Sequence, residues 1–279
     1  MLPVHLGLVS ESKSLSAREL TRTAAALQKQ VARDYSPIWS VNATVSAFAN
    51  LDDVPGGYWP VVVMDDINTP GAAGVHQDKN GQPFALVQYS ASWSLTASHE
   101  TLEMLTDPFG NRLVSGQSPK KGQGRVEFLV EVADPCEDAS FAYTANGVTV
   151  SDFITPSYYD PVPTASARYS FTGAIKGPRQ VLRGGYISWH DPVSDHWFQE
   201  VWFDAKPAFR DLGVLGKLEG SLRSTIDAMT RVPELEVGLP ATDKRLMAFG
   251  PTTKAVDESA GAKATSLRAE IEAVLAKKK

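Results

Sequence analysis

The sequence has a single cysteine, Cys136, among its 279 residues. One cysteine cannot form a disulfide within the chain or build a cysteine-rich zinc knuckle, so neither feature holds this fold together. Glu137 and Asp138 follow the thiol directly, and negative neighbours raise a thiol pKa instead of lowering it. We therefore assign no nucleophilic role to Cys136.

Long hydrophobic runs are also missing. No window approaches the roughly 18 apolar residues of a membrane-spanning helix. The start, MLPVHLGLVSESKS, has no basic region followed by a long apolar core. We expect a cytoplasmic protein without a membrane partner, with export that needs no leader as the alternative.

Positive charge is in deficit, since 27 Lys and Arg face 32 Asp and Glu and the net charge is -5. This balance disfavours a general attraction to nucleic acid. The strings GAAG, GQG and RGG lack the lysine and the strand, loop and helix context of phosphate-binding loops, and they are typical of turns. We expect neither a nucleic-acid partner nor a nucleotide site.

The composition is otherwise that of a folded protein, with 43% hydrophobic and 21% charged residues. Ser16 and Glu19 have the spacing of a capping box, which predicts a helix from Ala17 to about Asp34 that Pro37 ends. The segments PVHLGLV, SVNATVSAF, YWPVVVMDD and FALVQYS are typical of strands, and residues 68–83 of a long loop. The first 108 residues thus predict the order β-α-β-β-loop-β-α, in which the last helix is SLTASHETLEML.

The rest of the chain divides into two parts. We predict an N-terminal subdomain over 1–115, a β-rich subdomain over 116–203 and a helical extension over 204–279. In the β-rich part, GGYISWH and HWFQEVWF flank DPVSD as a hairpin. The terminal helix carries an apolar stripe of Leu267, Ile271 and Leu275, which packs on its own domain or on a protein partner.

The segment that carries chemistry is SLTASHETLEMLTDP, residues 94–108. Side chains four residues apart on a helix lie about 40° apart on neighbouring turns, so His99 and Glu103 can contact one ion. Imidazole nitrogen and carboxylate oxygen both bind Zn²⁺ at about 2.0 to 2.2 Å. Glu100, on the adjacent face, could take a proton from a metal-bound water.

With this motif and this order of elements, residues 3–108 resemble the zincin metallopeptidases, whose catalytic helix bears H-E-x-x-H. The resemblance implies an α+β fold with a zincin-like mixed sheet and two packed helices, followed here by the β-rich segment and C-terminal helices. It also implies that His99 is the first zinc ligand, that Glu100 is the general base, and that a peptide or protein substrate pairs along FALVQYS as the edge strand.

The sequence departs from that pattern at several positions. Glu103 stands at the second-ligand histidine, and the extended metzincin pattern would have glycine at Thr106 and histidine at Phe109. The next methionines, Met229 and Met247, are too far away for a methionine turn. We expect a divergent member with an altered metal site or none.

A third ligand must come from elsewhere in the chain. Asp134, in the EVADPCED segment after a strand, is the preferred candidate. The alternatives that remain are Asp107, Glu137, His76, His190 and His196. Two hypotheses follow: a zinc-dependent hydrolase, specifically a peptidase, with Zn²⁺ on His99, Glu103 and Asp134; or a catalytically inactive protein of the same fold that serves a larger assembly as a structural or interaction component.

Overall fold

The computed structural model describes residues 3–69, 71–218 and 220–230, and this part of the chain has the predicted α+β fold. The helices are α1 Ala17–Lys29, α2 Ser36–Trp39, α3 Trp93–Thr106 and α4 Leu222–Thr230. The strands are β1 Val4–Ser10, β2 Ala43–Phe48, β3 Trp59–Met64, β4 Gly74–Lys79, β5 Gln82–Gln88, β6 Leu113–Gln117, β7 Arg125–Leu129, β8 Tyr143–Ala145, β9 Val148–Val150, β10 Tyr186–Asp191, β11 His196–Val201 and β12 Ala208–Gly213. Within these described ranges, no helix combines the length and apolar character that crossing a bilayer requires.

The first sheet has the order β2-β1-β3-β5-β4. Its strands are parallel except for β4, which runs antiparallel to β5 at the edge. Alternate apolar residues of the central strands face one cluster shared with α1 and α3, among them Leu8, Val61 and Val87. Their neighbours Val9, Val62 and Leu86 face a second cluster under the loops on the opposite side. Because both faces are covered, the central strands are nearly continuous apolar runs.

The edge of this sheet differs from the sequence prediction. Residues 68–83 were expected to form a loop, but they contain β4, and FALVQYS forms most of the inner strand β5 instead of the edge. The Asn80–Gly81 pair has positive φ at both residues, 54° and 78°, and closes a two-residue hairpin between β4 and β5. Asn-Gly is favoured in such turns because both residues tolerate this backbone conformation.

The first helix is longer than predicted. The capping box at Ser16 and Glu19 is present, but the helical path continues as a π-helix over Gln30–Tyr35 and then as α2 to Trp39. Pro37 does not end it, because proline in the first turn of α2 needs no backbone N–H donor. The π-helical turn directs Gln30 and Tyr35 towards α3, where both are fully buried.

The second sheet is antiparallel, with the order β12-β11-β10-β7-β6. Its β10–β11 hairpin turns over residues 192–195, as DPVSD predicts. The predicted 115/116 boundary falls inside β6, and one hydrophobic cluster includes residues of both sheets, such as Leu6 and Trp189. Strand β12 lies within 204–279, where helices were predicted. The prediction missed it because pairing with β11 depends on the order of strands in the sheet, which local periodicity does not reveal.

The C-terminal helix α4 follows β12 and packs through Ile226 against Leu129 and Trp197. It lies within the helical extension predicted over 204–279 and begins at Leu222. The predicted terminal helix with Leu267, Ile271 and Leu275, and also Met247, lie outside the described residues.

Candidate metal centre

Helix α3 is buried on two sides, so the polar residues of its motif do not face solvent. It packs on β3, β4 and β5 and also against β9. Glu100 is 3% exposed and Glu103 is fully buried. Buried carboxylates are rare unless they are paired or bind a cation, so an ordinary solvated helix face does not explain this pattern.

A buried polar network orients the helix from behind. Ser98 Oγ donates to Gln30 Oε1 at 2.7 Å and accepts from the Ser151 backbone N at 2.9 Å. Gln30 Nε2 in turn donates to the Ser151 carbonyl at 2.9 Å. The hydroxyl of Tyr35 contacts Thr106, the last residue of α3. These bonds hold α3 against the first helix and determine which side of α3 faces the cleft.

On the cleft side, the structure brings together the three residues predicted as metal ligands. His99 Nε2 lies 3.2 Å from Glu103 Oε2 and 3.2 Å from Asp134 Oδ1. Neighbouring ligand atoms around a tetrahedral zinc with bonds of about 2.0 to 2.2 Å are separated by about 3.3 to 3.6 Å. The two separations from His99 Nε2 are close to this range. Among the described residues, His99 and Asp134 share a group of ligand atoms within 4.8 Å with Glu137, and Glu103 and Asp134 share one with Glu131, but the three predicted ligands together do not form such a group.

Several polar atoms at this point have no hydrogen-bond partner among the described residues. Both carboxylate oxygens of Asp134 belong to this set, and so does Glu131 Oε1. Asp134 nevertheless has charged neighbours, because its Oδ1 lies 3.2 Å from His99 Nε2 and its Oδ2 lies 3.9 Å from Arg223 Nη1. Buried polar groups normally have hydrogen-bond partners. Carboxylate oxygens without one can donate their lone pairs to a cation.

The charged groups around Asp134 also favour a cation at this position. Burial lowers the pKa of His99, but the charge of Glu103 and the side-chain contact with Asp134 outweigh burial and raise it well above its ordinary value. Burial and the charge of Glu103 raise the pKa of Asp134. Burial and the charge of Asp134 raise the pKa of Glu137 to about 8. Carboxylates are thus in excess, which favours the uptake of protons or of a metal cation.

Glu100 lies beside the predicted ligands and faces the edge strand. Its Oε2 is 3.3 Å from Nδ1 of His76 on β4. His76 Nδ1 is also 3.7 Å from Glu103 Oε2, and its Nε2 lacks a hydrogen-bond partner within the described ranges. Gly74 permits this close approach of β4, because a Cβ there would lie 2.7 Å from Glu100 Oε1. Glu100 is therefore held at the cleft wall by an imidazole.

Two further residues of the cluster were not predicted from the sequence. Glu131 forms a possible cation-binding group with Glu103 and Asp134, all with oxygens within 4.8 Å of one another. Arg223 of α4 donates to Glu103 Oε2 at 3.1 Å and pairs with Glu131. Burial raises the pKa of Glu103, but the charges of His99 and Arg223 hold it well below its usual range. No local pattern marks Arg223, which is 120 residues from Glu103.

The alternative third ligands lie in different surroundings. Glu137 has an oxygen within 4.8 Å of ligand atoms of His99 and Asp134, so it belongs to the centre. Asp107 instead caps α3, where it accepts from the backbone N–H groups of Asn111 and Arg112 at 3.0 and 2.7 Å. The hairpin histidines have other partners: His190 contacts Glu127 and Asp195, and His196 contacts Asp211.

Two of the predicted ligands, His99 and Asp134, line a cavity of about 490 Å³. Its walls come from the segment before and within β4, from α3, from the turn at Asp134 and from the second sheet and α4. Tyr186 and Phe203 supply aromatic surface, and Arg210 supplies a positive charge away from the carboxylates. This volume suits a small molecule or a few residues of a peptide.

Two comparisons with known proteins give no family for this chain: no family model matches it, and no curated protein matches it.

Proposed function

We propose that this protein is a zinc-dependent hydrolase that acts on peptides. The observation that carries the proposal is the position of His99 Nε2, which is 3.2 Å from an oxygen of Glu103 and 3.2 Å from an oxygen of Asp134. It is supported by the unpartnered oxygens of Asp134 in a buried, acidic centre beside a cavity. The zincin-like arrangement of residues 3–108 is part of the same proposal.

In this proposal, His99, Glu103 and Asp134 hold the zinc ion, and Glu137 stands next to them as a further carboxylate. Zinc bound there would lower the pKa of a bound water to about 7 and so supply the attacking nucleophile. A set with more carboxylates than the usual two-histidine set leaves the metal a weaker Lewis acid. We therefore expect slow turnover compared with two-histidine enzymes.

Glu100 has the role of general base. Its carboxylate lines the cavity, and the contact with His76 restricts its orientation. A base must lie within hydrogen-bond reach of the proton that it accepts, so a restrained carboxylate at the cleft wall suits this role.

A peptide is the favoured substrate because of strand β4. This strand is at the edge of the first sheet, and its outer side is not paired by another strand among the described residues. An extended peptide can add to such an edge through backbone hydrogen bonds. Residues 71–75, before and at the start of β4, line the cavity. Peptide pairing therefore moves from FALVQYS, where the sequence placed it, to β4.

Metal analysis tests the proposal. Protein purified without a chelator should carry about one zinc per chain, and both His99→Ala and Glu103→Ala should lose it. His190→Ala is the matched control, because this histidine also contacts two carboxylates but lies away from the cavity. Wild-type protein without zinc, or unchanged zinc in both variants, would contradict the metal site.

A second candidate function is a catalytically inactive protein of the same fold that takes part in a larger assembly. Arg223 favours it, since its guanidinium already neutralises carboxylates of the centre without a metal. Zinc would then change neither the stability nor the oligomeric state of the chain. Calorimetric titration with zinc separates the two candidates.

We also propose a cytoplasmic location and no nucleic-acid partner. The net charge of -5 supports the absence of nucleic-acid binding. A protein partner at the C-terminal helix stays a prediction.

A further inference from the structure

Arg223 brings a permanent positive charge into the candidate metal centre. It is 8% exposed, and its Nη1 donates to Glu103 Oε2 at 3.1 Å and to Glu131 Oε2. The same nitrogen lies 3.9 Å from Asp134 Oδ2. Two of these three carboxylates are the ligands predicted for zinc.

Within residues 3–230 as described, the helix that carries Arg223 makes few contacts with the rest of the protein. The backbone N–H of Leu222 donates to Asn111 Oδ1 at 2.9 Å, and the backbone N–H of Arg223 donates to the Gly110 carbonyl at 3.0 Å. The apolar contact is small, with Ile226 packed against Leu129 and Trp197. The ion pairs with the centre therefore contribute to docking α4 on the described part of the protein.

A metal ion and this guanidinium compete for the lone pairs of the same carboxylate oxygens. Glu103 Oε2 faces His99 Nε2 at 3.2 Å on one side and Arg223 Nη1 at 3.1 Å on the other. A divalent cation on His99, Glu103 and Asp134 would lie next to the guanidinium in a buried, weakly screened environment. Two cations there repel each other, and each reduces the negative charge that attracts the other.

We propose that Arg223 is a competitor of the metal that is built into the chain, so that docking of α4 and binding of zinc oppose each other. This inference rests on the proposed function and gives the regulation of the same site. Any event that detaches α4 increases the affinity for zinc. Because such coupling is reciprocal, zinc must weaken α4 docking by the same factor.

The first test measures zinc affinity of the full chain, stripped with a chelator, by competition with a fluorescent zinc indicator. Arg223→Gln removes the competing charge and should tighten zinc binding by about tenfold or more. Arg210→Gln is the control, because Arg210 lines the same cavity but is hydrogen-bonded to Gln199 and not to the carboxylates. It should change the affinity far less.

A second variant guards against misfolding of Arg223→Gln. Ile226→Ala keeps every charge and weakens only the apolar contact of α4. It should also tighten zinc binding, and less strongly than Arg223→Gln. In wild-type protein, added zinc should accelerate hydrogen exchange of the amides in 222–230. The expected acceleration equals the factor by which detachment of α4 tightens zinc binding.

The outcomes separate this inference from the proposed function. Wild-type zinc binding that neither variant tightens overturns the competition and leaves the metal site intact. If only the Arg223→Gln variant binds zinc, the competition is supported. The proposal that the wild-type chain carries zinc is then wrong. Absence of zinc binding in all variants overturns both.

Discussion

Helix α3 and the turn at residues 131–137 both contribute carboxylates to one cleft. These carboxylates differ in how many of their oxygens have hydrogen-bond partners. On α3, Glu103 is satisfied by the Ala133 backbone N–H, by Arg223 and by the contact with His99. On the turn, both oxygens of Asp134 and one of Glu131 lack hydrogen-bond partners within the described residues. The turn is therefore the part of the centre that a bound cation would stabilise most, while α3 supplies a scaffold that is complete without it.

The largest effect is expected for the base on the helix side. Glu100→Gln should reduce cleavage of a fluorogenic peptide library by about a hundredfold to ten-thousandfold, because the amide cannot accept a proton at neutral pH. Zinc content should not change, since Glu100 is not among the predicted ligands. Glu127→Gln, on the surface strand β7, is the control and should keep full activity. A fully active Glu100→Gln enzyme would exclude this base.

The turn side is tested by two buried aspartates that differ in their partners. Asp134→Asn should weaken zinc binding by about a hundredfold or more, because a predicted ligand loses its charge. Asp107→Asn should leave zinc affinity unchanged and lower the free energy of unfolding by about 0.5 to 1.5 kcal/mol, because the amide keeps only one of the two oxygens that accept from backbone N–H groups after α3. Zinc titration and urea denaturation of both variants give the comparison. Equal zinc affinities would remove Asp134 from the site.

The contrast between α3 and the turn also explains which residues of the centre can be predicted from the sequence. His99 and Glu103 are four residues apart on one helix, so local geometry places them together. Asp134 was chosen because it follows a strand, and the structure does place it beside His99. Arg223 could not be found this way, because its contact depends on how α4 docks over a separation of 120 residues.

The same physical limit applies to the fold. The capping box at Ser16 and the β10–β11 hairpin are local signals, and both elements are present. The position of FALVQYS inside the sheet is set by pairing with β3 and β4, which no local pattern in the strand reveals. Strand β4 was missed because its short polar sequence looks like a loop unless the Asn80–Gly81 turn is recognised.

A smaller effect is expected at the back of α3, where hydrogen bonds are satisfied inside the protein. Ser98→Ala leaves Gln30 Oε1 and the Ser151 N–H without the bonds that they make now. It should lower the free energy of unfolding by about 1 to 3 kcal/mol in urea denaturation. Ser94→Ala, which removes a more exposed bond to the Thr149 carbonyl, should change it by less than about 0.5 kcal/mol. Similar losses in both would show that the buried network does not fix the helix.

The smallest effect concerns a half-buried carboxylate in the second sheet, where no metal is proposed. Burial raises the pKa of Glu200 on β11 from 4.5 to about 7. Below pH 4.5 both folded and unfolded chains hold this proton, so burial has no cost. As the pH rises from 4.5 to 7 the unfolded chain releases the proton first, and stability is lost until the folded carboxyl also ionises.

Glu200→Gln should therefore match the wild-type protein at pH 4.5 and exceed its free energy of unfolding at pH 8 by about 1 kcal/mol, a value reduced for the partial exposure of Glu200. Urea denaturation at the two pH values measures the difference. A gain of the same size at both would mean that the substitution improves packing and that Glu200 does not carry an uncompensated charge. A gain confined to high pH would show that the ionised carboxylate of Glu200, which no cation compensates among the described residues, destabilises the second sheet at neutral pH.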